Sequence, residues 1–184
     1  LAMTGPETNF GFMAVLLFLA GVIAMSGAWS APEPELRGGF TLRTTDRFGP
    51  VQIHAPGPDG CTPERAEQIA GRFAESGVDV TVVYCGFAGE SYASIPVVRE
   101  TVGLVPPATR QARLAETLRI ADFTSWMGVP AIGIHVGFVS EDWRSDEFAD
   151  VVDVLRTVCG HCADLGLRVH LETGQETADT LLQL

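Results

Sequence analysis

The sequence predicts an α/β fold in which parallel strands alternate with helices and curve into a barrel. Segments with the two-residue alternation of strands are separated by segments with the period of helices, an order that favours parallel strands joined by right-handed crossovers. In three predicted strands, at 51–54, 131–136 and 168–172, the alternating run also ends in a residue that can bind a metal or transfer a proton. In a barrel of parallel strands such residues meet at the carboxyl-end mouth, where active sites lie.

The strand at 168–172 shows how the predicted barrel is organised. Val169 and Leu171 share one face because strand side chains alternate with a period of two, and the polar side chains occupy the other face. The apolar face is predicted to contact helices, and the polar face to point into the barrel. Glu172 then reaches the mouth, and His170 lies one layer deeper, as a buried polar residue or at most as a hydrogen-bond partner of a site residue.

The same parity places two histidines beside Glu172 at the mouth. His54 ends the strand at 51–54, and His135 ends the alternating run of the strand at 131–136. A lone histidine at a strand end is usually a hydrogen-bonded structural residue. Two histidines and a glutamate at inward strand ends together favour a functional site. Imidazole and carboxylate together suit a divalent metal such as Mn²⁺, Mg²⁺, Co²⁺ or Zn²⁺.

The remaining elements are placed by their capping residues and apolar stripes. Thr62 is the predicted N-cap of a helix at 63–76, which Gly77 ends. Near the end of the chain, Glu176 either caps a further helix or faces the mouth, and both interpretations stay open. The other predicted elements are a strand at 78–84, a helix at 109–127 that buries Phe123 or Trp126, and a helix from 145 or 146 to 165.

The segment at 86–108 is long for a connection between a strand and a helix. Connections of this length are uncommon and are usually functional or disordered. Apolar residues within the segment, such as Val98 and Leu104, argue against disorder. Two interpretations stay open, an ordered packing loop and a lid over the substrate.

The composition of the chain argues against a nucleic-acid partner. The chain of 184 residues carries 12 basic and 23 acidic residues, for a net charge of −11. Nucleic-acid binding needs clustered Lys and Arg, so we expect no nucleic-acid partner. Cys159 and Cys162 form a CxxC pattern, but both are predicted to lie late in a helix on its apolar stripe, which favours core packing over redox chemistry.

The first 50 residues differ in character from the rest. Residues 1–30 form a hydrophobic N-terminal segment, in which the uncharged run at 10–28 is long enough to span a bilayer. The interpretations are a membrane anchor, a signal peptide or an incorrectly assigned gene start, and the first two are favoured. Residues 31–50 are predicted to be a linker, and 51–184 a barrel domain that is cytoplasmic, or membrane-anchored or exported if 10–28 is a genuine segment.

Four stretches resemble the sugar phosphate isomerase/epimerase family, whose members are xylose isomerase-like TIM barrels. They are residues 86–92 (GFAGESY), 101–107 (TVGLVPP), 134–139 (IHVGFV) and 169–177 (VHLETGQET). The resemblance implies a (β/α)8 barrel of which this chain carries about half. It also implies that Glu172 binds a divalent metal and shuttles the substrate proton, with His135 beside it at the mouth as a further metal ligand.

The function implied by this resemblance is metal-dependent isomerisation or epimerisation of a sugar or sugar phosphate. Glu172 is the expected catalytic residue, and His54, His135 and Glu176 are expected to contact the substrate. The alternatives are a non-catalytic sugar-binding barrel and a metal-dependent phosphodiesterase like the apurinic endonucleases. Homo-oligomerisation is left open.

Overall fold

The structure of this chain is a computed structural model that describes residues 50–172, 174 and 176–184. The predicted hydrophobic run at 10–28 lies outside the described residues, as does the predicted linker apart from Pro50. Within the described ranges, no helix is both long enough and apolar enough to cross a membrane.

Four parallel strands form one sheet in which the spatial order follows the chain order. They are β1 (Val51–His54), β2 (Val80–Tyr84), β3 (Ala131–His135) and β4 (Arg168–Glu172). The helices are α1 (Pro63–Ser76), α2 (Ile95–Thr101), α3 (Pro107–Trp126), α4 (Asp146–Asp164) and α5 (Ala178–Gln183), and a short 3-10 turn spans Pro58–Gly60. The predicted parallel α/β architecture is confirmed.

The limits of α1 agree with the prediction because local hydrogen bonds set both ends. The Thr62 hydroxyl accepts a hydrogen bond from the Arg65 amide at 3.2 Å, which satisfies one of the free donors of the first turn. Gly77 ends the helix in the left-handed conformation with φ of 67°, which a residue without Cβ adopts at little cost.

The hydrophobic core lies between the outer face of the sheet and helices α3 and α4. Ile132 and Ile134 of β3 are fully buried there, together with Phe123 of α3 and Val158 of α4. Trp126 keeps 48% of its surface exposed. Of the two aromatic residues considered for the buried stripe of α3, Phe123 is therefore the one that packs in the core.

Two predicted boundaries are wrong by two residues. Strand β2 begins at Val80, not at residue 78, because the Val78 amide still donates to Phe73 O of helix α1. Helix α3 begins at Pro107, not at 109, since the backbone is already helical at the second proline of the Pro106-Pro107 pair. A proline is tolerated at this position because the first helical amide has no partner within the helix.

The long segment at 86–108 contains helix α2, which the sequence interpretation missed. Val98 in this helix, and Val102 and Leu104 after it, have no exposed surface. The segment is therefore an ordered, packed part of the domain, as the first of the two interpretations expected.

The predicted burial of Cys159 is wrong. Cys162 is fully buried, but Cys159 is exposed, because the buried face of α4 runs through Leu155, Val158 and Cys162 at helical spacing. Burial raises the pKa of Cys162 to about 11, with smaller contributions from Cys159 and Asp122. This thiol stays protonated at neutral pH, which leaves the CxxC pattern without a reactive pair.

Candidate active site

Strand register brings Glu172 and His135 together at the carboxyl edge of the sheet. Glu172 of β4 pairs directly with His135 of β3. His54 pairs with Tyr84, Tyr84 with Gly133 and Gly133 with His170, so this row lies two residues before His135 and Glu172 along β3 and β4. The structure therefore places two of the three predicted strand-end residues side by side and His54 in the adjoining row.

His170 occupies the predicted position but is not buried. Its row on the inner face of the sheet is correct, since it pairs with Gly133. The residue is nevertheless exposed, because β4 is an edge strand of the sheet that the structure describes. Leu171, on the opposite face, also retains 39% exposure.

Tyr84 lies across Gly133 and fills the inner face of the sheet beside the predicted site. Its ring centroid lies 6.1 Å from that of His54, with the two planes tilted by 46°. Burial raises the pKa of the Tyr84 hydroxyl, and the negative charge of Glu172 raises it further. Tyr84 is therefore a neutral hydroxyl group in the electrostatic field of Glu172.

His135 is oriented by a backbone hydrogen bond. The Gly137 amide donates to His135 Nδ1 at 3.1 Å, so the neutral imidazole carries its proton on Nε2. Nε2 faces the turn after β4, because a Cβ atom added to Gly174 would lie 2.9 Å from it. In this conformation His135 offers a hydrogen-bond donor from Nε2, and metal ligation through Nε2 would require the opposite tautomer.

Glu176 binds the turns beside the mouth and does not cap the last helix. Its Oε2 accepts a hydrogen bond from the Gly174 amide at 2.9 Å, and its Oε1 accepts one from the Val139 amide at 3.4 Å. The N-cap of α5 is Thr177, whose hydroxyl accepts from the Thr180 amide. Glu176 therefore joins the turns that follow β3 and β4, at the edge of the sheet where Glu172 lies.

The pKa of His54 responds to the charges of two carboxylates. Burial of the ring lowers the pKa of His54, although the residue as a whole keeps an exposed surface. The negative charges of Glu172 and Glu90 act in the opposite direction and favour the protonated form. Both carboxylates therefore act on the His54 imidazole across the mouth of the sheet.

Glu90 and Tyr92 lie close to the candidate site, and the sequence interpretation did not identify either. Glu90 accepts hydrogen bonds from the Phe87 amide at 3.0 Å and from the Gly103 amide at 2.7 Å. The Tyr92 ring meets the His135 ring edge to face, with centroids 5.9 Å apart and planes at 76°. The available signal was a glutamate and an aromatic residue among small residues in a long connection.

The described residues can supply only part of a metal site. Among them, no group of three His, Cys, Asp or Glu side chains converges well enough to hold an ion. The Glu172 carboxylate fits the oxygen preference of Mn²⁺ or Mg²⁺ and lies at the mouth. His135 fits only with its other tautomer, so Glu172 is the stronger candidate ligand of the two.

Parallel strands in sequential order, with alternating helices and a polar carboxyl edge, form part of a barrel of the TIM type. The chain belongs to the xylose isomerase-like TIM barrel family, whose model matches residues 48–183. This confirms both the resemblance and the partial barrel that were predicted from the sequence.

Solved structures agree with this assignment. The xylose isomerase domain protein from Planctomyces limnophilus is 48% identical, with a TM-score of 0.72 over 74% of this chain and 49% of that one. A D-tagatose 3-epimerase-like protein has 14% identity and a TM-score of 0.55, over 75% of this chain and 51% of that one. A putative xylose isomerase from Rhodospirillum rubrum has 20% identity and a TM-score of 0.52, over 67% of this chain and 44% of that one.

The second and third of these structures show a shared fold only. This chain spans about half the length of the structures that it matches. Among curated proteins, none matches the chain.

Proposed function

We propose that this chain forms part of a sugar isomerase or epimerase that acts on a sugar or sugar phosphate. The observation that carries the proposal is the pairing of Glu172 with His135 at the carboxyl edge of the sheet. Membership of the xylose isomerase-like family supports it, because active sites of TIM barrels lie at this edge.

Glu172 is the proposed base. Isomerisation and epimerisation remove a proton from a carbon next to a carbonyl group, and a positioned carboxylate contributes roughly 10²–10⁴-fold to such a transfer. The side chain of Glu172 is only partly buried, which leaves it open to a substrate at the mouth. The strand backbone and the pairing with β3 hold it in place.

His135 is the proposed partner that stabilises the developing negative charge. When the proton leaves carbon, charge builds up on the carbonyl oxygen, and a fixed donor aimed at that oxygen lowers the barrier. The Gly137 amide holds the His135 ring in the tautomer that carries a proton on Nε2. His135 can therefore donate from Nε2 to a substrate oxygen that lies beside the turn after β4.

A divalent metal, Mn²⁺, Mg²⁺, Co²⁺ or Zn²⁺, is proposed as the cofactor, held in part by Glu172. It would supply Lewis-acid stabilisation of the substrate oxygens. His135 would join Glu172 as a ligand only in the tautomer that gives up the hydrogen bond from Gly137. His135 also contacts the substrate in this proposal, together with His54 and Glu176. Two backbone amides hold the Glu176 carboxylate at the turns after β3 and β4.

The test is Glu172→Gln in the full-length protein, which keeps the shape of the side chain and removes its charge. We expect turnover of a panel of aldoses and ketoses to fall by roughly 10²–10⁴-fold and Mn²⁺ binding to weaken in calorimetric titration. The melting temperature of the metal-free form should stay nearly unchanged. Glu67→Gln, on the exposed face of α1, is the matched control.

Two results would contradict the proposal in different ways. Wild-type activity and wild-type Mn²⁺ affinity in Glu172→Gln would show that this strand end is not the site. Sugar binding by the wild-type protein without any turnover would instead identify a non-catalytic sugar-binding barrel.

A further inference from the structure

The connection between β2 and α3 forms a wall that is joined to the end of β3 by backbone contacts. The Leu104 amide donates to Val136 O at 2.6 Å. At the same place Gly103 and Gly137 approach so closely that a Cβ on either would overlap the backbone of the other segment. Two chain segments can approach this closely only where both lack side chains. We call residues 86–105 the mouth wall.

Buried arginines hold the mouth wall from the other side. Arg113 of α3 donates to Gly103 O at 2.8 Å and lies over the Phe87 ring, 5.3 Å from its centroid. Arg110 donates to Leu104 O at 3.0 Å and to Val105 O at 2.6 Å. Both guanidinium groups are almost completely buried, so these charge-assisted bonds are shielded from water. The mouth wall is thus a fixed surface, not a free loop.

Tyr92 projects from a part of this wall whose preceding backbone is fixed by hydrogen bonds. Before it, Glu90 accepts from two backbone amides of the wall. Next to it, the Ser91 amide donates to Thr101 Oγ1 at 3.1 Å, and the Thr101 hydroxyl lies 3.2 Å from Ser91 O. The wall therefore fixes the backbone that leads into Tyr92, and the ring lies against His135.

The Tyr92 side chain is only partly covered by the rest of the domain. It keeps 43% of its surface exposed although its ring is in contact with His135. A tyrosine hydroxyl is protonated at neutral pH, so Tyr92 offers a hydrogen-bond donor beside His135.

We propose that Tyr92 contacts the substrate and sets which sugars the site accepts, an inference that rests on the function proposed above. An exposed aromatic face beside His135 offers a surface for the C–H groups of a sugar, and the hydroxyl offers a donor to a sugar oxygen. The remaining carbons of the sugar chain lie against Tyr92 while the reacting carbons lie between His135 and Glu172. Because the mouth wall is fixed, Tyr92 selects by its own shape and hydrogen bond.

The experiment compares Tyr92→Phe and Tyr92→Leu in the full-length protein, with D-xylose and D-tagatose as probe sugars. The first variant removes only the hydroxyl, and the second also removes the ring. We expect KM or Kd to rise roughly 2–10-fold for the loss of one neutral hydrogen bond, and again by about as much for the loss of the aromatic face. The value of kcat should change less than KM.

The ratio of kcat/KM between the two sugars is the readout that a purely structural role would not move. Trp126→Leu is the matched control, because Trp126 is similarly exposed but lies at the end of α3 that leads to the start of β3, at the opposite edge of the sheet. It should leave KM and the sugar ratio unchanged.

Two outcomes overturn this inference, and they can be told apart. Unchanged KM and an unchanged sugar ratio in both Tyr92 variants, with an active wild-type protein, would overturn the role of Tyr92 and leave the proposed function intact. If the wild-type protein neither binds nor converts any sugar of the panel, the proposed function and the role of Tyr92 fail together.

Discussion

The ring of Tyr84 occupies the space that a side chain at Gly133 would need. A Cβ atom added to Gly133 would lie 2.6 Å from Tyr84 Cε1, 2.7 Å from Cδ1 and 2.8 Å from Cζ. The two residues are partners in the register of β2 and β3, and the Tyr84 side chain lies on the inner face of the sheet. Glycine at 133 therefore leaves the space that the large aromatic ring of Tyr84 needs in the row next to Glu172.

Gly133→Ala should destabilise the protein by about 1–3 kcal/mol, the usual cost of forcing extra atoms into a packed site. The free energy of unfolding from urea denaturation measures this cost. Gly71→Ala is the matched control, since Gly71 lies in α1 with no heavy atom within 4 Å of its added Cβ. We expect that variant to be stabilised by up to about 1 kcal/mol, because alanine is the better helix former.

The same clash can be tested by a double-mutant cycle. In a Tyr84→Leu background the alanine at 133 meets a smaller side chain, so its cost should fall to less than half of the value in the wild-type background. An equal cost in the two backgrounds would show that the Tyr84 ring is not the group that Gly133 accommodates.

Gly103→Ala should detach the mouth wall from β3. Gly103 has a φ of 71°, and its added Cβ would overlap Val136 O. The left-handed conformation alone costs a residue with Cβ roughly 1–2 kcal/mol, and the overlap adds about 1–3 kcal/mol. We expect a loss of about 2–5 kcal/mol in the free energy of unfolding, together with faster proteolysis within residues 86–105.

Gly89→Ala separates these two effects within the same wall. Its φ of 83° is also left-handed, but no heavy atom lies within 4 Å of the added Cβ. The free energy of unfolding of Gly89→Ala should therefore fall by only about 1–2 kcal/mol. Equal losses in Gly89→Ala and Gly103→Ala would argue against a close backbone approach between the wall and β3.

The titration of His54 tests its proximity to Glu172. Burial lowers the pKa of His54 from its ordinary value of 6.5, and the Glu172 carboxylate partly offsets this effect. Glu172→Gln removes the offsetting charge, so the pKa of His54 should fall further. Histidine Cε1–H resonances followed by NMR in metal-free protein measure the change, with Glu67→Gln as the control.

The same pKa shift has a defined sign for stability. Because His54 binds its proton less readily in the folded protein, the unfolded chain holds more protons just below pH 6.5. The contribution of neutral His54 to the free energy of unfolding is present above pH 6.5. It is lost as the pH falls through the pKa that His54 has in the folded protein. Glu172→Gln should move the end of this loss to lower pH. An unchanged pKa of His54 in Glu172→Gln would show that the two side chains do not interact electrostatically.

The order of elements and the identity of the strand ends could be predicted from the sequence because they depend on local patterns. Alternation within 131–135 and 168–172 placed His135 and Glu172 on one face, and strand pairing then put them side by side. The limits of α1 were also predictable, since Thr62 and Gly77 are capping residues that act within one turn.

In helix α4 the local sequence pattern was not sufficient to predict which residues are buried. Cys159 and Cys162 belong to one apolar-looking run, but only Cys162 is buried, because the packing of α4 against the sheet sets which stripe faces inward. Helix α2 was missed for a similar reason. It has only seven residues, too few for a periodic signal, and its burial depends on contacts with the rest of the domain.

The sequence by itself determined the family, the parallel strand order and the residues at the strand ends. Tertiary structure alone decided the tautomer of His135, the contact of Tyr92 with that histidine and the fit of Tyr84 over Gly133. The latter two join residues from separate strands and connections, and the tautomer depends on the backbone path after β3. The physical reason is that strand and helix periods act over a few residues, whereas side-chain contacts at the mouth exist only after the strands have paired.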